Sequence, residues 1–226
     1  LLRPRARRQA PKRIDMSRNA IMARSMAYLT DYQDEAYAER YKELVDRAIA
    51  AEKSKGLDDR FSTAVARYYF KLLAIKDEFE VARLFSSDTF RQELQAAFEG
   101  DYKIRFNVGA WPFGGVDENG RPFKKEVGPW LMSAFGLLTK FKGLRGTMLD
   151  PFRNNAERKL AHRLLDEYET EIGDLIAKLD RSNVDQAVAL ASLPEKIRGY
   201  GHVRERHVAQ VEMERANIKA AKSVAA

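Results

Sequence analysis

The chain has 226 residues, a net charge of +7, 45% hydrophobic and 32% charged residues. That composition belongs to a globular chain able to bury a core, not to a disordered one. No cysteine is present, which excludes iron–sulfur clusters, thiolate zinc sites, disulfides and a thiol nucleophile from this chain and fits an intracellular protein.

Residues 1–17 read as a basic tail or linker. Arg3, Arg5, Arg7, Arg8, Lys12 and Arg13 face only Asp15, so residues 1–15 carry +5 of the +7. Such a tail is either an anion- or RNA-binding arm or a solvated linker. It has no aromatic to stack on bases, and the linker is the preferred reading. A chain starting at Leu1 reads as a piece of something longer. No apolar run follows the basic start, so no signal peptide is expected. The longest apolar stretch, residues 130–138, is broken by Ser133 and Gly136. It falls far short of the roughly 20 residues of a membrane span, and a cytoplasmic location is expected.

The spacing of Met22, Met26, Leu29, Tyr37, Tyr41, Leu44 and Ala48 predicts one long helix over 18–54, capped by Ser17 and stopped by Gly56. Its pairs Tyr28/Tyr32 and Tyr37/Tyr41 predict a half-buried packing face with hydroxyls in water. Val65, Tyr68, Leu72, Ile75, Phe79 and Ala82 predict a core helix over 59–85, capped by Asp58 or Asp59. Asp77, Glu78 and Glu80 within it are expected to form a solvated charged face, since consecutive helical positions point to different sides. A short helix is expected over 88–98, ended by Gly100.

The texture then changes. Tyr102–Val108 alternates with period two, and Asn119-Gly120 is a strong hairpin signal. Residues 101–128 are expected to form a β-hairpin, with Trp111 to Gly115 packed against something. Pro129 opens a helix to about residue 141. Asn154 or Asn155 caps a long one with Leu160, Leu164, Tyr168, Ile172, Leu175 and Leu179 inside. Ser182 is expected to cap a short helix. Pro194 starts a turn, Gly199 and Gly201 suggest a tight turn with positive φ, and residues 202–224 form a last helix. The fold expected is mainly α (α+β), one domain over 18–224 with a single inserted hairpin.

Chemistry-bearing patterns are sparse. His162, His202 and His207 have no metal-ligand spacing, and no metal site is expected. Neither glycine-rich nucleotide loop nor a hydrolase elbow occurs. The best anion candidate is the loop 140–147, where Lys140, Lys142 and Arg145 lie among glycines whose amides can approach a phosphate. The competing reading is complementation of a helix C-terminus by basic side chains. Trp111, Phe113, Trp130 and Tyr200, with His202, are expected to form a contact surface, since aromatics are the residue types that anchor interfaces.

Taken in order, residues 32–41 (YQDEAYAERY), 74–85 (AIKDEFEVARLF), 98–102 (FEGDY), 128–132 (GPWLM), 142–152 (KGLRGTMLDPF), 156–158 (AER) and 193–203 (LPEKIRGYGHV) resemble the C-terminal domain of the long single-chain bacterial indolepyruvate ferredoxin oxidoreductases. The resemblance spans roughly residues 25–215. It implies a parent enzyme that oxidatively decarboxylates an arylpyruvate or related 2-oxoacid to an acyl-CoA and reduces ferredoxin. Thiamine diphosphate, magnesium and 4Fe-4S clusters are implied for other parts of that parent, and no catalytic or cofactor-binding residue is implied here. The expected role is a structural accessory domain. It would pack on the catalytic domains of the same enzyme, with a homo-oligomer and no membrane contact. The chain departs from the family pattern at 108–115, around Trp111. The alternative reading is a helical module whose basic tail and loop bind nucleic acid or another anion; nucleic acid is disfavoured.

Overall fold

The computed structural model describes residues 14–98, 100, 102–109, 115–116 and 122–223. The chain is mainly α, as the periodicities predict, and it divides into two compact units. One comprises residues 14–75 and 154–223, here the helical unit. The other, residues 76–153, is inserted between two of its helices and is here the insert unit.

The helical unit begins with α1 (Arg18–Tyr32) and α2 (Glu35–Lys55). The predicted single helix is therefore broken. Asp34 adopts an extended backbone, and its side chain accepts from Tyr37 N at 2.8 Å, restarting the chain as a new helix. Ser17 caps α1 and Gly56, with φ of 60°, closes α2, both as expected. Next comes α3 (Arg60–Leu73), which packs against α1, α2, α7 (Ala156–Lys178) and α8 (Val184–Ser192). Its burial runs nearly all round: Phe61, Ser62, Val65, Ala66, Tyr69 and Leu73 are inaccessible. A 3-10 turn over Leu193–Lys196 and α9 (His202–Ser223) complete the unit. Asn155 caps α7, accepting from Glu157 N at 2.9 Å. Ser182 does not cap α8; its hydroxyl donates to Asp180, and Asn183 occupies the cap position.

Tyrosines run through this core. The rings of Tyr41, Tyr69 and Tyr168 stack in sequence, with centroids 5.8 and 6.1 Å apart. Their hydroxyls are inside, not in water. Tyr41 donates to Ala66 O at 2.9 Å, Tyr168 to Ala191 O at 3.0 Å, and Tyr69 to the Glu169 carboxylate. Arg40 grips the same carboxylate through two bonds of 2.8 and 2.9 Å. A buried phenol needs such a partner, because losing its water without one is costly.

The insert unit starts where the second predicted helix breaks. Instead of one helix over 59–85, α3 ends at Leu73 and α4 (Glu78–Ser86) follows after Ala74 to Asp77. Asp77 caps α4, accepting from Glu80 N at 2.8 Å. Then come α5 (Asp88–Ala97), β1 (Phe106–Val108), β2 (Gly115–Val116), β3 (Pro122–Phe123), β4 (Lys125–Val127) and α6 (Leu131–Thr139). β1 pairs antiparallel with β4, Phe106 opposite Val127, and β2 with β3, Gly115 opposite Phe123. The hairpin over 101–128 is therefore present, and among the described residues its first arm is regular over Phe106–Val108 and Gly115–Val116. The Asn119-Gly120 turn, Trp111 and Phe113 lie outside the described residues. A small apolar cluster of Phe106, Val127 and Leu131 packs with Phe85 and Phe135. Phe85 meets Phe106 edge-on at 5.4 Å.

Candidate functional site

The expected anion loop lies in the insert unit and is built differently from the expectation. After α6, the chain turns through a 3-10 turn at Lys142–Leu144 and a run of tight turns to Phe152. Arg145 does not face solvent. Its side chain is 8% exposed and its Nε lies 2.7 Å from Asp77 Oδ2, with Nη2 3.2 Å from Oδ1. The guanidinium also sits 5.5 Å above the Phe79 ring, and Phe79 meets Phe152 edge-on at 5.7 Å. The backbone of α4 explains the pairing. Asp77 at its cap position uses one oxygen for Glu80 N and presents the carboxylate to Arg145.

The carboxylates read as a solvated face are thus mostly interior. Asp77 and Glu80 are buried, and Glu80 holds Arg83 through two bonds of 2.8 Å. Asp150, also buried, fastens the following turn. It accepts from Gly146 N at 2.8 Å and Phe152 N at 2.9 Å. Thr147 adds two more local bonds, donating to Leu144 O at 2.7 Å and accepting from Leu149 N at 3.2 Å. Gly146, with φ of 75°, supplies the one left-handed residue of this turn. Lys140 is exposed and Lys142 half-buried. The three predicted cations therefore do not converge on one ligand, because Arg145 is committed to Asp77.

The contact-surface candidates that can be placed are at the surface. Trp130, at the start of α6, is more than half exposed. In the helical unit, Tyr200 is likewise exposed, and His202 opens α9 beside it. Gly199 and Gly201 flank Tyr200 with φ of 84° and 54°, the tight turn the sequence predicts. A Cβ on Gly199 would stand 2.7 Å from Val203 Cγ1, so position 199 excludes a larger residue on space as well as conformation. Glu157 accepts from Gly201 N and pairs with Arg204, while His207 Nδ1 lies 2.8 Å from Arg198 O.

A recess of about 300 Å³ in the helical unit is bordered by Glu171, Asp174, Lys178, Gln186 and Lys219. Its central charges are paired with each other: Lys219 Nζ is 2.7 Å from Glu171, which Arg215 approaches to 3.2 Å. No group of three or more His, Asp or Glu side chains able to hold a metal ion occurs among the described residues. The chain lacks cysteine, so it has no thiolate ligand to offer an iron–sulfur cluster.

Sequence reasoning missed two things here. The first is the burial of Asp77, which its position just before an apolar helical run (EFEVARLF) signals as a cap. The second is the exposure of Met148 and Leu149, at 88% and 75%. No local pattern distinguishes an apolar pair held outward from one folded inward.

The chain matches a family of unknown function, DUF6537, over residues 18–217, and belongs to it. No curated protein and no solved structure matches. No helix among the described residues is long and apolar enough to cross a membrane.

Proposed function

We propose that this chain is a non-catalytic accessory domain of a 2-oxoacid:ferredoxin oxidoreductase, the indolepyruvate class that the sequence resembles. The observation that carries the reading is where the polar residues of the resembling segments stand. Asp77, Glu80 and Arg83 of residues 74–85, and Arg145 and Asp150 of residues 142–152, bond to one another or to nearby backbone. They build the insert unit and are engaged with one another there instead of lining a cleft. A catalytic site shows the opposite arrangement, with titratable groups converging on an open space. Thiamine diphosphate, magnesium, the 4Fe-4S clusters, CoA capture and the contact with ferredoxin belong to the catalytic portion in this reading. The anion-binding alternative is weakened by the withdrawal of Arg145 from the basic loop.

The test is a tagged chain expressed in its own host and purified without oxygen. The proposal expects it to bring down an assembly that contains iron and thiamine diphosphate and reduces ferredoxin with an arylpyruvate and CoA. The isolated chain is expected to contain neither cofactor. A tagged chain that recovers no such activity, or an isolated chain that itself turns over substrate, overturns it.

A further inference from the structure

The insert unit carries an apolar surface that its own core does not use. Along α6 and the turn after it, the exposed positions are Trp130, Ser133, Leu137, Lys140 and Phe141. These spacings of three, four, three and one trace a single stripe of a helix. Three of the five are large hydrophobics, each about half exposed. The buried Leu131 and the half-buried Phe135 lie between the stripe's positions and pack in the unit's own cluster. The helix is apolar on both sides. Seven residues further on, Met148 and Leu149 stand out from their turn almost completely, at 88% and 75% exposure.

The turn displaying that pair is firmly held. Asp150, Thr147 and the Arg145–Asp77 ion pair fix it from both sides. Two large apolar side chains held outward by a bonded frame resemble an interface anchor more than a floppy loop tip. Preorganised anchors bind well because little ordering remains to be done on docking. The charges nearby have one sign. From Gly128 to Asn155 the only acidic residue is Asp150, which is buried, whereas Lys140 and Arg153 are exposed.

We infer that Trp130, Leu137, Phe141, Met148 and Leu149 form the docking surface by which this chain attaches to the catalytic portion of the oxidoreductase, at a patch with an apolar centre and a carboxylate rim. The inference rests on the function proposed above for the partner's identity. Lys140 and Arg153 supply the charge complementarity, and the apolar centre supplies the affinity. A protein partner fits better than an anionic bilayer. Attraction to an anionic bilayer needs a cluster of basic residues at its surface, and the exposed cations available here are Lys140, next to the nine-residue α6, and Arg153.

The experiment titrates the full chain into the separately purified, cofactor-loaded catalytic portion, with calorimetry at several salt concentrations. Leu149→Asp is expected to weaken binding by at least about tenfold, as a charge placed in a desolvated interface centre does. Lys140→Glu is expected to weaken it about two- to fivefold and to flatten the salt dependence. Circular dichroism and melting temperature of both variants should match the parent chain, since both positions are exposed. If the unaltered chain does not bind the catalytic portion, the proposed function fails. If it binds and both variants bind equally well, that function stands and this surface is overturned. Self-association abolished by Leu149→Asp, or binding to phosphatidylserine-containing vesicles in place of the catalytic portion, overturns it too, in favour of a second copy or a membrane.

Discussion

The two units bury different mixtures of side chains, the helical unit mostly apolar ones with Glu52 and Arg158 among them. The helical unit encloses apolar and aromatic side chains, and even its tyrosines find partners inside. The insert unit encloses charges: Asp77, Glu80 and Asp150 are buried, and Arg145 nearly so. Phe79, Phe106, Val127 and Leu131 are buried with them, while Trp130, Leu137, Phe141, Met148 and Leu149 are left at the surface. Ordinary surfaces scatter such residues singly. Five of them within residues 130–149 of the insert unit are the basis of the docking surface inferred above, whereas Tyr200 and Met213 of the helical unit are exposed at separate places in the sequence.

The sharpest way to break that contrast is to remove the charge at its centre. Asp77→Ala leaves Arg145 buried without its carboxylate and removes the cap of α4. A broken buried pair costs about 3–5 kcal/mol, so the insert unit is expected to lose about 4 kcal/mol of stability. Hydrogen exchange read segment by segment should show α4 and α6 losing protection, with α3 and α7 retaining theirs. Unchanged protection in α6 would mean that the ion pair does not hold the insert unit together. The matching change in the helical unit is Ile172→Ala, at an inaccessible site on α7. Deleting a buried aliphatic side chain costs about 2–5 kcal/mol. About 3 kcal/mol is expected by urea unfolding, with protection lost first in α3 and α7.

The contrast also explains what the sequence discloses. Inner faces of long helices repeat every three to four residues, so Leu164, Tyr168 and Ile172 are legible as core from their spacing alone. The same periodicity conceals helix breaks. Tyr28, Tyr32, Tyr37 and Tyr41 continue one pattern across Asp34, although the extended backbone there begins a new helix. Likewise Ile75 and Phe79 continue the α3 pattern across the junction between the units. Long-range pairing is not legible at all. Asp77 and Arg145 are 68 positions apart, and nothing local in either segment announces the other. Lys140, Lys142 and Arg145 look equivalent in sequence, yet Arg145 is paired with Asp77 while Lys140 is exposed, a difference set by a residue far away in the chain. The contact-surface expectation is partly placed: Trp130 and Tyr200 are exposed, while Trp111 and Phe113 lie outside the described residues.

Alkaline pH should separate the units without any mutation. Burial pushes the Tyr41 phenol up to about 12. Burial first, and then the neighbouring Glu169 carboxylate, raises that of Tyr69, and burial raises Tyr168 well above its usual value. Below about pH 10 both folded and unfolded chains keep these protons, and stability is independent of them. Above it the unfolded chain releases protons that the folded chain retains. Stability then falls by about 1.4 kcal/mol per pH unit for each such tyrosine, until the folded-state value is passed. The aromatic cluster of the insert unit is phenylalanine, and its central arginine keeps its charge throughout. Melting followed between pH ~8 and ~11, with tyrosinate absorbance as a second signal, should therefore show the helical unit failing first. An insert unit that unfolds in the same transition as the helical unit would show that its stability depends on the helical core.

The smallest expected effect concerns the residue that looks most important by size and chemistry. Leu149→Ser removes a large apolar side chain, which in a core would cost several kcal/mol. Leu149 is 75% exposed, however, so little apolar contact is lost in the isolated chain, and substitutions at such sites stay within about 0.5 kcal/mol. The backbone should also be undisturbed. The bonds that fix the turn run from Leu149 N to the Thr147 hydroxyl and from Gly146 N and Phe152 N to Asp150, and none uses the leucine side chain. The melting temperature of Leu149→Ser is therefore expected to match that of the parent chain, while its solubility rises because an exposed apolar group is gone. A loss above about 1 kcal/mol in the isolated chain would place Leu149 inside this protein's own packing. The docking surface inferred for the insert unit would then lose one of the two residues that stand furthest out from it.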